Sequence, residues 1–540
     1  MAGRLGIDFG TSNTVIAVWD EARREGVPMH IPDVGQFCDV LAPALQQPKT
    51  PANLISVVPS LIHYASDGRR WLGNQVRQKN LSSSDRTFSL IKRYIANRSP
   101  INRRVDGRQI SHFDAGKDFL SSVLLFAAEQ LKIGDEEVAL TVPVEAFEHY
   151  VDWLTGVVEA AGLARFRLID EPSAAALGYG SHIQPGHVYL IFDFGGGTLD
   201  VAVALIEEEE QLQWGRRCRV LGKAGRELGG STIDTWLMQD LLKRIERSDS
   251  DDEIRRVSAD LLAECRAAKE RLSHADRAEV NVMNPQSGHV FSTSWDRAQF
   301  EELLDQHDTF SQIDQTIRRA LNAARERGYT EDNVQMVLMV GGSSLIPAVQ
   351  KTVQRIFGRD KVQLERPLDA VARGAAAFAA GVDFYDHIQH DYAIRWVDPQ
   401  KGDYEYRVIV KRGTPYPTRQ AVARMTVKAT HPGQTELGIA IFELSDRKER
   451  GEESAIELVF DPSGAARLVP LSADEAVRRA RFWINEQSPT FLRAYPPAQP
   501  GEPRFAVEFG IDIHKRLLIT ARDLKTGQFT HHEYPVVKLL

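Results

Sequence analysis

Cysteine is scarce in this chain: Cys38, Cys218 and Cys265 are scattered over 540 residues without metal-ligand or redox spacing. That excludes a disulfide scaffold and a zinc ribbon, and the three read as reduced structural thiols in a reducing compartment. No apolar run approaches the roughly 18 residues of a membrane span, and the N-terminus enters a predicted strand at once, with no basic and apolar leader. A cytoplasmic protein without membrane contact is expected. An excess of positive charge is also missing: Lys+Arg 66 against Asp+Glu 74 leaves a net charge of −8, which argues against a general nucleic-acid binder. Two common phosphate cradles are absent as well, since there is no G-x-x-x-x-G-K-[ST] and no G-x-G-x-x-G between a strand and a helix. What is there is ordinary for a globular protein, 43% hydrophobic and 26% charged, and long enough for several domains.

Against that background two glycine-rich acidic turns stand out, Asp8-Phe9-Gly10-Thr11-Ser12 and Asp193-Phe194-Gly195-Gly196-Gly197-Thr198. Each follows a short apolar run and precedes alternating apolar residues, so each reads as strand, tight turn, strand. Glycine lets successive backbone N–H groups point into one concavity where phosphate oxygens dock, and Thr11, Ser12 and Thr198 add hydroxyls there. Asp8 and Asp193 would then face Mg²⁺, an ion usually held through one or two carboxylates plus substrate phosphates. Either turn alone would be an ordinary hairpin whose aspartate bonds its own backbone. Two copies in matched contexts favour a phosphate clamp.

Four segments in order, Gly6-Ile7-Asp8-Phe9-Gly10-Thr11-Ser12-Asn13, Asp170-Glu171-Pro172-Ser173-Ala174-Ala175-Ala176, Asp193 to Asp200, and Val340-Gly341-Gly342-Ser343, resemble the ATPase domain of the 70-kDa heat-shock chaperones. The resemblance runs from the first residues to about Gly381, with a looser similarity to that family's β-rich substrate domain beyond. It implies an α/β, actin-like ATPase domain of two lobes with ATP or ADP and Mg²⁺ between them, followed by an antiparallel, β-sandwich-like domain.

The organisation along the chain agrees. Residues 1–382 read as the nucleotide-binding domain, 383–395 as a linker, and 396–540 as a β-rich domain that binds substrate or a partner, with an insertion at 446–503. In the first, Pro28 to Pro59 is expected to be an extended surface loop, Phe88 to Ile95 a half-apolar strand, 145–161 a helix leading to Asp170-Glu171-Pro172, 253–273 a long amphipathic helix, and Ala370 to Ala380 a small-residue helix. In the last, Arg407–Val410, Arg424–Val427, Leu437–Phe442, Phe505–Phe509 and Leu517–Ala521 read as strands. The insertion carries a predicted helix opened by Ser472, with Glu475 in capping-box position and Val477, Ala480, Phe482, Trp483 and Ile484 along it, read as local core, with a partner surface as the alternative. The chain reaches Leu540 soon after the last predicted strand, so the helical lid of the family is expected to be missing, and Asp383 to Tyr392 replaces its leucine-rich acidic linker.

The resemblance implies roles residue by residue. Lys92 stands where the family positions the water that attacks the γ-phosphate, Glu171 matches a carboxylate near metal and water that couples the lobes, and Asp193 and Thr198 complete the catalytic set. From the residues alone, Lys92 is a solvated charge and Glu171 an acid favoured by the N-terminal helix dipole. Phosphoryl transfer needs mainly positioning and charge neutralisation, so Lys92 need not act as a strong base. Pro143 and Arg93 match residues that pass nucleotide state onward. Nucleotide contacts are implied for Gly10, Thr11, Ser12, Asn13, Gly195, Gly196, Gly197, Gly229, Gly230, Lys269, Ser273, Gly341, Gly342 and Ser343, with Asp8 and Asp193 at the metal.

The match weakens at the adenosine. Leu345 stands where the family commonly has an arginine stacked on adenine, Arg266 replaces a ribose-binding glutamate, Glu270 occupies the opposite stacking position and Leu368 replaces an aspartate. A leucine offers only apolar contact where a guanidinium would stack as a cation. The expectation is an ATP-dependent chaperone-like protein, a weak ATPase whose nucleotide state controls binding of unfolded polypeptide, with co-chaperones as further partners. The rival is a nucleotide-regulated scaffold that binds one dedicated partner. A small-molecule kinase of the same superfamily is disfavoured, because no second-substrate motif stands out.

Overall fold

The computed structural model describes residues 4–539 apart from 40–53, 132–136, 144–147, 164–165, 181–183, 208–217, 382–383, 386–387, 389, 398–403, 419, 445–455, 461–465, 471–480, 487–488 and 513–514. The chain forms two units: Met1–Ala146, Asp152–Tyr385 and Ala455–Pro470 make the first, and Phe147–Val151, Asp386–Ser454 and Leu471–Leu540 the second.

The first unit is mixed α/β around two sheets. One contains β1 (Leu5–Phe9), β2 (Asn13–Asp20), β3 (Glu25–Pro28), β4 (Gln36–Asp39), β5 (Leu54–Pro59), β6 (Val138–Val142) and β7 (Phe166–Asp170), in the order β7-β6-β1-β2-β5-β4, with β3 also on β2. The other contains β8 (Val188–Phe194), β9 (Leu199–Ile206), β10 (Cys218–Arg226), β11 (Val334–Val340), β12 (Val362–Gln363) and β13 (Phe384–Tyr385), in the order β12-β11-β8-β9-β10-β13. The two sheets repeat one plan: an antiparallel hairpin, β1–β2 or β8–β9, whose first strand lies parallel to a later one, β6 or β11. The acidic turns are the tips of those two hairpins. Strands β8 and β9 are buried along their whole length, as expected of strands covered on both faces.

Five helices position the site: α1 (Ile91–Ala96), α2 (Glu171–Gly178), α3 (Gly230–Arg244), α4 (Asp252–Leu272) and α5 (Ala370–Ala379). Alanine dominates α2 and α5 because their backbones touch. A Cβ on Gly374 would stand 1.6 Å from the Ala174 carbonyl oxygen, and one on Gly178 1.7 Å from that of Ala370, so neither position has room for a side chain. Helix α4 buries Ile254, Val257, Leu261, Leu262, Cys265, Ala268 and Leu272 at helical spacing, with Ser258 inside the same stripe. That hydroxyl accepts the Ala466 N–H at 2.9 Å, where a hairpin, Ile456–Phe460 with Ala466–Pro470, joins the core of this unit.

The second unit is built from antiparallel ladders. Tyr404–Val410, Asp391–Val397, Ile441–Leu444 and Arg481–Trp483 form one sheet, Ala423–Lys428, Pro503–Ile511, Arg516–Asp523 and Phe529–Lys538 another, and Gln434–Ile439 pairs with Thr490–Ala498. Tyr392, Leu437, Leu492, Phe505, Val507, Phe509 and Ile519 fill its core.

Several expectations need correction. Pro28 to Pro59 is not one loop, since Gln36–Asp39 pairs with Leu54–Pro59; the proline- and glutamine-rich part, 40–53, lies outside the described residues. Lys92 sits on a helix: Leu90 in the left-handed region (φ 53°) turns the chain out of the short strand Thr87–Phe88. Burial of Ile91, Lys92, Tyr94 and Ile95 around α1 leaves no amphipathic period to read. Leu437–Phe442 is two strands, in different ladders, that break at Ala440. Of the expected helix after Ser472, residues 471–480 lie outside the described residues, and Phe482 and Trp483 belong to a strand, Trp483 opposite Phe442. Aromatic side chains such as Phe482 and Trp483 fit a pleated surface.

Candidate functional site

The two hairpin tips meet. A Cβ on Gly196 would stand 2.8 Å from Ser12 Oγ, and one on Gly197 2.6 Å from Thr11 Oγ1, so the second turn takes glycine because the first lies against it. The second turn closes with Gly195 N–H donating to the Thr198 carbonyl at 3.0 Å. Its own carbonyls then recruit the neighbours: Gly195 O accepts from Gly230 N–H (3.0 Å) and Ser343 Oγ (2.8 Å), and Gly196 O from Ser231 N–H (2.7 Å). The Gly229-Gly230 and Gly341-Gly342-Ser343 segments are thereby drawn onto one turn. Gly341 has φ 83°, and a Cβ there would stand 2.6 Å from Asp193 Oδ1. In the first turn Gly10 O accepts from Ser60 Oγ at 2.8 Å, while Asn13 Oδ1 is buried with no hydrogen-bond partner among the described residues.

Beneath the turns the chemistry is acidic. Asp8 comes from β1, Asp193 from β8, Glu171 from the first turn of α2, and Asp200 stands opposite Asp193 in the β8–β9 ladder. Lys92 Nζ of α1 pairs with Glu171 Oε1, both buried. Burial, reinforced by the Glu171 charge, pushes the Asp8 carboxyl up to about 7, although Lys92 and a 3.2 Å hydrogen bond from Thr141 Oγ1 pull the other way. Asp193 is held well above the usual carboxylate range by burial and by the charges of Glu171, Asp200 and Asp8. Carboxylates thus crowd around the ion-paired ammonium of Lys92, and such a donor set fits a small divalent cation. Among the described residues no group of three or more His, Cys, Asp or Glu is arranged to hold a metal unaided. Magnesium, which uses one or two carboxylates and takes the rest of its shell from water and phosphate, needs none.

The sequence signals on α4 fare differently. Lys269 Nζ reaches Gly230 O at 2.9 Å and Asp234 at 2.7 Å, and so joins the turn cluster. Ser273 Oγ instead donates to the carbonyl of Lys269 at 3.3 Å. Arg266 Nε binds the same Asp234 at 3.2 Å. Arg93, one residue past Lys92, donates to Ser231 Oγ at 3.1 Å and so reaches the start of α3.

Sequence reasoning passed over Asp234, Thr141 and Lys223. Lys223 Nζ on β10 pairs with Asp170 Oδ2 at 2.8 Å, and Asp170 Oδ1 caps α2 by accepting Ser173 N–H (3.0 Å) and Oγ (2.6 Å). The one available signal was a lysine within the otherwise apolar stretch Val220 to Ala224. Among the described residues no helix is long and apolar enough to cross a membrane. A family model described as Hsp70 protein matches residues 127–454, well over half of the chain.

Proposed function

Because the chain belongs to the Hsp70 family, we propose that it binds ATP with Mg²⁺ at the paired turns and hydrolyses it slowly to control its grip on a polypeptide. At the level of the family, a chaperone-like nucleotide-binding function, the actin-like ATPase fold, ATP or ADP with Mg²⁺, and unfolded polypeptides and co-chaperones as partners all follow from membership. For this chain the observation that supports the reading is the meeting of Thr11 and Ser12 with Gly196 and Gly197 directly above buried, raised-pKa aspartates.

The two sheets of the first unit are then its two lobes, and the antiparallel ladders of the second its sandwich-like binding domain. Backbone amides of Gly10 to Asn13 and Gly195 to Gly197 would receive phosphate oxygens, with the hydroxyls of Thr11, Ser12 and Thr198 beside them. Gly229, Gly230, Lys269, Ser273, Gly341, Gly342 and Ser343 would line the nucleoside side. Asp8 and Asp193 would hold Mg²⁺, which neutralises phosphate charge. Lys92, fixed by Glu171, would orient the attacking water by a hydrogen bond, and Glu171 would report nucleotide state to both sheets.

Turnover measured with and without unfolded peptides tests this. Stimulation by many peptides supports the chaperone. The rival, a nucleotide-regulated scaffold with one dedicated partner and little turnover, draws support from Arg266, which Asp234 holds where a nucleoside-binding carboxylate was expected. No stimulation together with one tight partner would establish the scaffold instead.

A further inference from the structure

Two buried lysines meet the first turn of α2. Lys92 pairs with Glu171, and Lys223 pairs with its neighbour Asp170; Asp170 is 1% exposed and Lys223 8%. A carboxylate so deeply buried is costly unless a cation and hydrogen-bond donors surround it. Asp170 has both, because Oδ1 takes the Ser173 N–H and hydroxyl while Oδ2 takes the ammonium of Lys223. The two partners come from different sheets: Asp170 ends β7 in the first, Lys223 lies on β10 in the second. After the cap, α2 runs through Pro172 and three alanines to Gly178, so its first turn has few polar anchors of its own.

We propose that Lys223 is a positioning residue for Glu171, holding the Asp170 cap from the opposite sheet so that the Glu171–Lys92 pair keeps its place beneath the turns. The inference rests on the reading of Glu171 as part of a hydrolytic site. Without Lys223 the buried carboxylate of Asp170 loses its counter-charge and is drawn away from its cap. That loosens the turn that carries Glu171, and a misplacement of about 1 Å in a reacting group costs on the order of a hundredfold in rate.

The test uses the full-length chain as wild type, Lys223→Met and the double variant Asp170→Asn/Lys223→Met. Steady-state ATP hydrolysis is measured at a temperature where circular dichroism shows every variant folded, and amide exchange over 170–178 is followed in nucleotide-free protein. Lys223→Met is expected to lower kcat at least about tenfold with KM within about twofold, and to speed exchange at the start of α2. In the double variant asparagine still caps the helix but carries no charge, so both kcat and exchange should return most of the way. Lys223→Gln, which keeps a donor, replaces the Met variant if that one does not fold, with the same expectation at smaller amplitude. A Lys223 variant with unchanged kcat and exchange but a lower melting temperature would make the pair structural only. A double variant as slow as the single would show that Lys223 acts by another route. Should the wild type turn over no ATP, the hydrolytic reading fails, and exchange alone still decides whether Lys223 holds the cap.

Discussion

Beneath the turns, carboxylates gather: Asp8, Glu171 and Asp193 lie about Lys92, Asp200 stands opposite Asp193, and burial raises Asp8 and Asp193. Beside α4 one carboxylate, Asp234, serves two cations, Arg266 and Lys269. On the proposed reading, the acidic end would be completed by a cation from outside. Beside α4, Arg266 and Lys269 are already paired, so a ligand gains less from them. On the same reading, a site divided in this way would grip the phosphates and metal more firmly than the base.

The largest effect is expected at the acidic end. Asp193→Ala should lower Mg²⁺-dependent ATP hydrolysis on the order of a hundred- to a thousandfold with the fold intact, because phosphate charge loses its metal-facing carboxylate. Phosphate release followed over a Mg²⁺ titration checks it, and unchanged turnover would remove the clamp. Lys92→Ala is next, with a rate loss of about a hundredfold and near-normal nucleotide affinity by calorimetry, since a group that positions water contributes to the transition state more than to the ground state.

A gentler probe is pH. Asp8 stands at about 7 in the folded chain against 3.8 for the free group, and Asp193 is raised in the same direction. The unfolded chain therefore releases these protons first. Their contribution to stability is complete below about pH 4 and is lost as pH rises through about 7. The nucleotide-free protein should melt lower at pH 8 than these groups would allow at pH 5. Asp8→Asn should flatten that slope, and Mg²⁺ with ATP should also reduce it; calorimetric scans that show a slope unchanged in Asp8→Asn would deny the strain. The smallest effect belongs to the base side. Leu345→Arg should tighten ATP about two- to fivefold by adding a stacking cation, and a weaker affinity would mean that the base is held differently.

The turns were legible because glycine, aspartate and hydroxyl residues at a hairpin tip leave a mark that no packing preference imitates. The repeated hairpins of the two sheets were legible for the same reason, since β1–β2 and β8–β9 pair locally across those turns. Lys92 was found by its resemblance but placed on the wrong element, because a short helix buried nearly all round has no period to read. Asp234 and Lys223 stayed hidden. Their partners, Arg266 and Asp170, lie 32 and 53 residues away in sequence, and ion pairs formed by tertiary packing leave no local pattern.

The hairpin that ends in Ala466–Pro470 sets an order of events for synthesis. Ser258 presents its hydroxyl on α4, and the N–H it accepts belongs to a residue made 208 positions later. At about 5–20 residues per second, a ribosome needs roughly ten to forty seconds to deliver it. Until then the stripe around Ser258 is an open seat on the nascent first unit, and the last piece of that unit arrives after much of the second has already been translated. A chain that stops in the 383–395 stretch would therefore lack the piece that fills that seat.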